Sequence, residues 1–292
     1  MTASSKKTSA TYRSIDAISV ASIRQMYAIY EKYYERTSLE IFLRDLSKKS
    51  GVILIQRKSD DEIVGFSTLQ FFDFEVDGKR VRGVFSGDTV VEKEYWGSNA
   101  LANTFYRRLV IERFKHPTVP FYWFLISKGY KTYLLMTNNF YNYYPNINGR
   151  DERYRRIAEA FCSRTFPDAF DSERMLLDFG SDYVALKEAV ADITPEERAR
   201  DPKIGFFEQR NPSWNRGTEL PCLAACDYES FFRSLWDVPA KWVRKHILGT
   251  HPRGPARPAR APRPAAQPAG SAATADAWYG ADGEALEQTK LS

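Results

Sequence analysis

The 292-residue chain is 43% hydrophobic and 27% charged, enough apolar content for one large or two small domains and too much for a chain that stays unfolded. Its net charge of +5 is modest for that length, so no nucleic-acid partner is expected, and it suits an anionic small molecule or an acidic protein. Three irregularly placed cysteines (Cys162, Cys222 and Cys226) argue against a disulfide framework, no uncharged apolar run approaches the ~18 residues of a membrane span, and MTASSKKTSATYR has no apolar leader core, so a cytoplasmic protein is expected.

Taken in chain order, residues 1–13 read as disordered. A helix is expected from Ile18 to Arg36, with Ile23, Met26, Tyr27, Tyr30, Tyr33 and Tyr34 on one apolar-aromatic face. Thr37-Ser38 offers an N-cap for a second, short helix carrying Leu39, Phe42, Leu43 and Leu46 and ending near Gly51. GVILIQR (51–57) is a strand. Residues 62–76 and 79–91 read as two strands joined by Asp77-Gly78, a pair that readily takes the two positive φ values of a two-residue hairpin turn. After Glu92, KEYWGSNALANTFYRRLVIERF places Leu101, Phe105, Leu109 and Phe114 at helical spacing, and Pro117 and Pro120 end that helix. FYWFLIS (121–127) is a continuous apolar run of the length of a buried strand.

Beyond it, Ser127 is placed to cap a short helix over residues 128–136. NNFYNYYPNINGR (138–150) is a loop or edge strand by its asparagines and proline, and residues 150–166 form a basic amphipathic helix. Residues 228–248 carry aromatics and cations in a helical pattern. They are expected to pack on the core, with a weak contact on a membrane surface as the alternative. The last stretch opens with HPRGPARPARAPRPAAQPAG, which holds Pro252, Pro255, Pro258, Pro262, Pro264 and Pro268 and cannot build a core. The expected division is therefore a disordered 1–13, a core domain over 14–166, an extension packed on it over 167–249, and a Pro/Ala/Arg-rich disordered tail over 250–292.

The order helix, helix, strand, strand, strand, helix, strand, together with Val90-Val91-Glu92-Lys93-Glu94-Tyr95-Trp96-Gly97 leading into an amphipathic helix, resembles the GNAT N-acyltransferase superfamily. The resemblance covers roughly residues 18–145. It implies an α/β (α+β) fold: a mixed, mainly antiparallel twisted sheet flanked by helices, here with a mainly helical C-terminal extension and a disordered tail. It also implies direct acyl transfer from a thioester to an amine, with no permanently bound cofactor and no metal. In the family this turn holds the pyrophosphate of coenzyme A on backbone amides and a helix N-terminus, as orphan amides and the helix dipole favour. Carried over, the donor-binding residues are Val90, Val91, Trp96, Gly97, Ser98 and Asn99, with Arg107 and Arg108 on the helix contacting phosphate or a carrier protein. Glu94, Tyr95 and Gly97 fit the family pattern. Trp96 stands where the family prefers Arg or Gln, and Asn99 and Leu101 stand where it prefers small residues. Some relatives with eroded loops of this kind take acyl groups from acyl carrier protein. With the high aromatic content of 14%, this departure leans toward a fatty acyl chain delivered by acyl-coenzyme A or by an acidic acyl carrier protein.

The family often uses a carboxylate near the central strands as base and a tyrosine on the helix after the fifth strand as acid. Asp88, alone in an otherwise apolar strand, is the carboxylate candidate. Its bland alternatives are a solvent-facing residue or a salt bridge to Arg82. Tyr133 is the tyrosine candidate, with Tyr130 and Tyr141 close behind. The acceptor is an amine on an amino acid, on a lysine- or ornithine-type side chain of a peptide, or on an amino sugar. The rival function is a non-catalytic module of the same fold that binds a partner through its basic aromatic surface. His116, His246 and His251 are scattered, and Cys222 and Cys226 have no nearby histidine pair, so no zinc site is expected.

Overall fold

The computed structural model describes residues 7–149, 152–180 and 193–230. Strand β1 (Thr8–Ser14) is followed by helices α1 (Val20–Tyr33) and α2 (Leu39–Ser47), then strands β2 (Gly51–Arg57), β3 (Ile63–Val76) and β4 (Lys79–Val91). Helix α3 (Ala100–Lys115) crosses over to β5 (Phe121–Ser127). Next come α4 (Tyr130–Asn139), the short strand β6 (Tyr143–Tyr144), α5 (Glu152–Thr165) and a small ribbon of β7 (Phe170–Asp171) and β8 (Leu176–Leu177). Helices α6 (Pro195–Arg200) and α7 (Pro202–Arg210) precede the last described strand, β9 (Leu220–Ala225). The main sheet has seven strands in the order β1-β2-β3-β4-β5-β9-β6, and only the β4–β5 pair is parallel. The expected mixed, mainly antiparallel sheet between helices is what forms.

Local chemistry explains most elements. Asp77 and Gly78 take φ values of 52° and 70°, which lets β3 turn directly into β4. Ser19 and Ser38 accept hydrogen bonds from the third residue of their helices, Ser22 N–H and Ile41 N–H, and so cap α1 and α2. Residue alternation along the strands then sorts the core onto two faces of the sheet. On one face Met26, Ile29, Tyr30 and Phe42 pack against Val52, Leu54, Phe66 and Val90, while α5 covers Phe85, Phe124 and Leu223 beside them. The opposite face buries Ile53, Leu69, Val84 and Trp123 under α3, α4 and α7. In α3 the buried stripe runs Leu101, Phe105, Leu109 and then Glu112, whereas Phe114, expected on that stripe, is exposed.

Two expectations about domain limits are corrected. Residues 8–14 form an edge strand rather than a disordered lead, because their backbone pairs along the whole of β2. Residues 220–225, expected in the extension packed on the core, are part of the core sheet: β9 inserts between β5 and β6, antiparallel to both. The basic helix expected at 150–166 is observed from Glu152, and the edge strand expected within 138–150 is β6. The aromatic helix expected at 228–248 and the tail at 250–292 lie outside the described residues, apart from residues 228–230.

Candidate functional site

Two irregularities in the central strands coincide. Strand β4 pairs with β5 only from Arg82–Phe121 to Phe85–Phe124, although β4 runs on to Val91 and β5 to Ser127. The strands therefore fork, with Trp123 Nε1 donating to Ser86 Oγ at 2.9 Å in the crotch. At the same level the β3–β4 register slips: Ser67 faces Thr89, but Leu69 faces Ser86. Three steps on β4 thus match two on β3, and Gly87 and Asp88 share the single partner Thr68. Such a bulge bends the strand and re-aims its side chains.

Asp88 is the residue re-aimed. It is 5% exposed and lies on the α1–α2 face, within electrostatic reach of Tyr30 on α1 and Lys49 just after α2. Lys49 is itself 4% exposed. Burial pushes its ammonium below the ordinary lysine range, against the opposing pull of the Asp88 and Asp45 carboxylates. Burial, followed by the same two carboxylates, pushes the Tyr30 phenol well above its ordinary value. A carboxylate, an ammonium and a phenol are thus gathered on one side of the fork. Beside them, between the ends of α2 and α5, lies a cavity of about 290 Å³ lined by Lys48, Lys49, Gln70, Phe72, Phe161 and Arg164 among others.

Asp88 is neither solvent-facing nor bridged to Arg82. Arg82 pairs instead with Asp73 Oδ2 at 3.0 Å and with the buried Glu112 Oε1 at 2.6 Å, at the other end of β4. Sequence reasoning missed Lys49, and the helical phase was the available signal: Phe42, Leu46 and Lys49 are spaced i, i+4, i+7, which puts all three on the buried stripe of α2 continued by one turn.

The loop proposed for the thioester donor is folded onto the fork. Glu92 N–H bonds to Val64 O on β3, so the alternate residue Val91 turns its amide and carbonyl toward the β5 side. Trp96 Nε1 donates to that carbonyl at 2.9 Å. The Trp96 amide donates to Lys93 O, and Ala100 N–H donates to Ser98 Oγ, so two donors of the turn are satisfied within it. Ser98 Oγ is also 2.7 Å from Thr8 Oγ1, which ties the turn to β1. Gly97 has a φ of 81°, and Asn99 precedes α3 without a capping bond from its side chain. Val90 is core beneath α1.

The other nominated residues are dispersed. Arg107 is exposed on α3. Arg108 donates to Glu112 Oε2 at 3.0 Å and lies over the rings of Tyr12 and Phe71, 4.3 and 5.0 Å from their centroids, which fixes α3 to β1 and β3. Tyr133 is 0% exposed, on the sheet face opposite Asp88. Its hydroxyl donates to Pro145 O at 2.9 Å, and its ring packs on Phe206 and Phe207. The structure does not bring it to Asp88. Tyr130 is buried in the same cluster, and Tyr141 is exposed.

The three cysteines are free and buried, and burial pushes each thiol upward, which leaves little thiolate for nucleophilic attack. Among the described residues, no three His, Cys, Asp or Glu side chains are grouped to hold a metal ion, and no helix is long and apolar enough to cross a membrane.

No family model matches the chain, and no curated protein matches it. Among solved structures, one similar chain is a conserved protein of unknown function from Enterococcus faecalis V583, named a probable N-acyltransferase, with 15% identity and a TM-score of 0.35. The match covers 44% of this chain and 32% of that one, so this chain spans about a third of the length of the protein it resembles.

Proposed function

We propose that this protein is an N-acyltransferase that uses Asp88 as its general base. The observation that carries the reading is the coincidence of the bulge and the fork. The sheet opens between β4 and β5 at the level where β4 delivers a buried carboxylate. In the proposed step an amine attacks the thioester carbonyl and its proton passes to Asp88. The oxyanion is held by backbone amides of β4 that face the fork, at Val91 and by alternation at Thr89. The intermediate then collapses to an amide and a thiolate, which takes up a proton. No covalent enzyme intermediate is required, in keeping with three buried thiols.

For the donor, the turn into α3 spends the Trp96 amide on Lys93 O and the Ala100 amide on Ser98 Oγ, and the Trp96 indole donates to Val91 O beside the fork. That favours a donor gripped through its acyl chain and pantetheine arm rather than through pyrophosphate. An acyl carrier protein or a long-chain acyl-coenzyme A fits this better than a short-chain acyl-coenzyme A.

The test measures thiol release and amide formation by the full chain with palmitoyl-coenzyme A or a palmitoylated carrier protein and a panel of amines, for the native protein and Asp88→Asn. A general base contributes roughly 10²–10⁴-fold. A fall of that size in kcat with unchanged donor binding is expected. Donor binding without turnover in the native protein would instead favour a binding module of the same fold.

A further inference from the structure

We infer that the cavity between the ends of α2 and α5 is an anion subsite that receives the carboxylate of an amino-acid acceptor. The inference rests on the acyl-transfer reading for the position of the amine at Asp88, and it deepens that reading by naming the acceptor class.

Three observations converge. First, the cavity is cationic. Lys48, Lys49 and Arg164 line it, and no acidic side chain does. Lys48 is held on the outside by Asp45 at 3.4 Å, and Arg164 places one nitrogen 3.4 Å from Asp73 O.

Second, Lys49 is built in. It is more than nine-tenths buried. Its Nζ reaches the strand bulge, where a β-carbon placed on Gly87 would lie 3.5 Å from it. A buried cation is costly without a compensating anion. Asp88 and Asp45 act on it through space, and burial still outweighs them. A ligand carboxylate would supply a hydrogen-bonded counter-charge.

Third, the shape and polarity suit a zwitterion. Phe72 and Phe161, stacked 5.1 Å apart, lie beside the cationic groups and lower the local dielectric, which strengthens charge pairing. An ammonium against Asp88 and a carboxylate against Lys49 and Arg164 match the adjacent opposite charges of an α-amino acid. About 290 Å³ holds such a molecule and is small for an amino sugar carrying a long substituent or for a folded protein surface. Gln70 adds a neutral amide able to bond either oxygen.

The experiment is calorimetric titration of the full chain, without any acyl donor. The probes are the twenty coded amino acids, the decarboxylated amines of those that bind, and inorganic phosphate. At least one amino acid is expected to bind, with its decarboxylated amine at least tenfold weaker. Arg164→Gln, a substitution at an exposed position, should weaken the amino acid about tenfold and leave the amine unchanged; Lys49→Met should do the same or more. Equal binding of amino acid and amine, binding of inorganic phosphate alone, or no amino-acid binding would overturn the inference. The two readings fail separately. Carboxylate-dependent binding with no product from either donor would leave the subsite standing and remove acyl transfer. Product formed equally from amines and amino acids would do the reverse.

Discussion

The bulge at Gly87 sets the position of Asp88, and a double-mutant cycle measures how tightly. A β-carbon at residue 87 would lie 2.5 Å from Thr68 Oγ1, about 1 Å inside the ~3.5–4.0 Å optimum for non-bonded atoms. Its next neighbour, Lys49 Nζ at 3.5 Å, is in ordinary contact, so the conflict is with Thr68 alone. Thr68 is 2% exposed and β-branched, and its χ1 is too stiff to swing aside cheaply. Gly87→Ala should therefore cost about 1–3 kcal/mol in strand displacement, offset by about 0.4–1 kcal/mol from a stiffer unfolded chain, a net loss near 1–2 kcal/mol. Thr68→Ala removes a hydroxyl and a methyl and should cost about 1 kcal/mol by the value of one buried carbon. It also clears the conflict, so the double variant should lose scarcely more than Thr68→Ala alone. Thr68→Val is the control, because it keeps an atom at the Oγ1 position and should give no relief. Urea unfolding of the native protein, the three variants of the cycle and the Thr68→Val control, alone and with Gly87→Ala, supplies the numbers, and under the proposed acyl transfer the kcat of Gly87→Ala should fall because Asp88 moves with the strand. Additivity of the two alanine substitutions within about 0.5 kcal/mol would refute the reasoning, since neighbours in steric conflict must couple.

Two further outcomes follow from buried charge. Lys49 has its folded pKa lowered by burial, so below that pKa the fold carries the full cost of a buried ammonium, and the cost is relieved as pH rises through the lowered value toward the ordinary lysine value. Lys49→Met should accordingly be more stable than the native protein at neutral pH, with the gap closing toward pH 10.5, the ordinary lysine value; a gap that stays constant from pH 7 to pH 11 in urea titrations would count against it. Glu112, whose side chain is 3% exposed, accepts bonds from Arg82 and Arg108 and lies 3.4 Å from His116 Nε2. Glu112→Ala should cost about 3 kcal/mol, the lower end for breaking a buried ion pair because Arg82 keeps Asp73, and a loss under about 1 kcal/mol would show that the network contributes little.

The contrast between what the sequence reveals and what it hides follows the range of the interactions involved. The hairpin at Asp77-Gly78, the crossover helix and the buried strand at 121–127 are encoded locally, in turn chemistry and hydrophobic period, and each was legible. Strand β1 was not. TSATYRS offers only Ala10 and Tyr12 as an alternating apolar pair, too short a pattern to mark a strand, and its pairing partner is β2, more than thirty residues away, whose edge it covers. Strand β9 was hidden for the same reason, since its place between β5 and β6 is set by tertiary pairing across roughly a hundred residues.

The burial of Asp88 was legible as an anomaly, because a lone carboxylate in an apolar strand conflicts with its surroundings, and such conflicts mark candidates for chemistry. Tyr133 matches the family's acid by position alone among 17 tyrosines, and its ring fills the opposite face of the sheet. Lys49 illustrates the remaining gap. Two adjacent lysines after a helix read as a solvated end, and composition cannot separate them. The helical phase separates them: Lys48 falls on the outer face and Lys49 continues the Phe42–Leu46 stripe inward. A charge that falls on a buried stripe is a stronger pointer to function than a charge that merely recurs, because the fold must offset its desolvation every time it forms. On that criterion Lys49 and Asp88, rather than the glycine turn before α3, are the residues to substitute first in a test of the proposed chemistry.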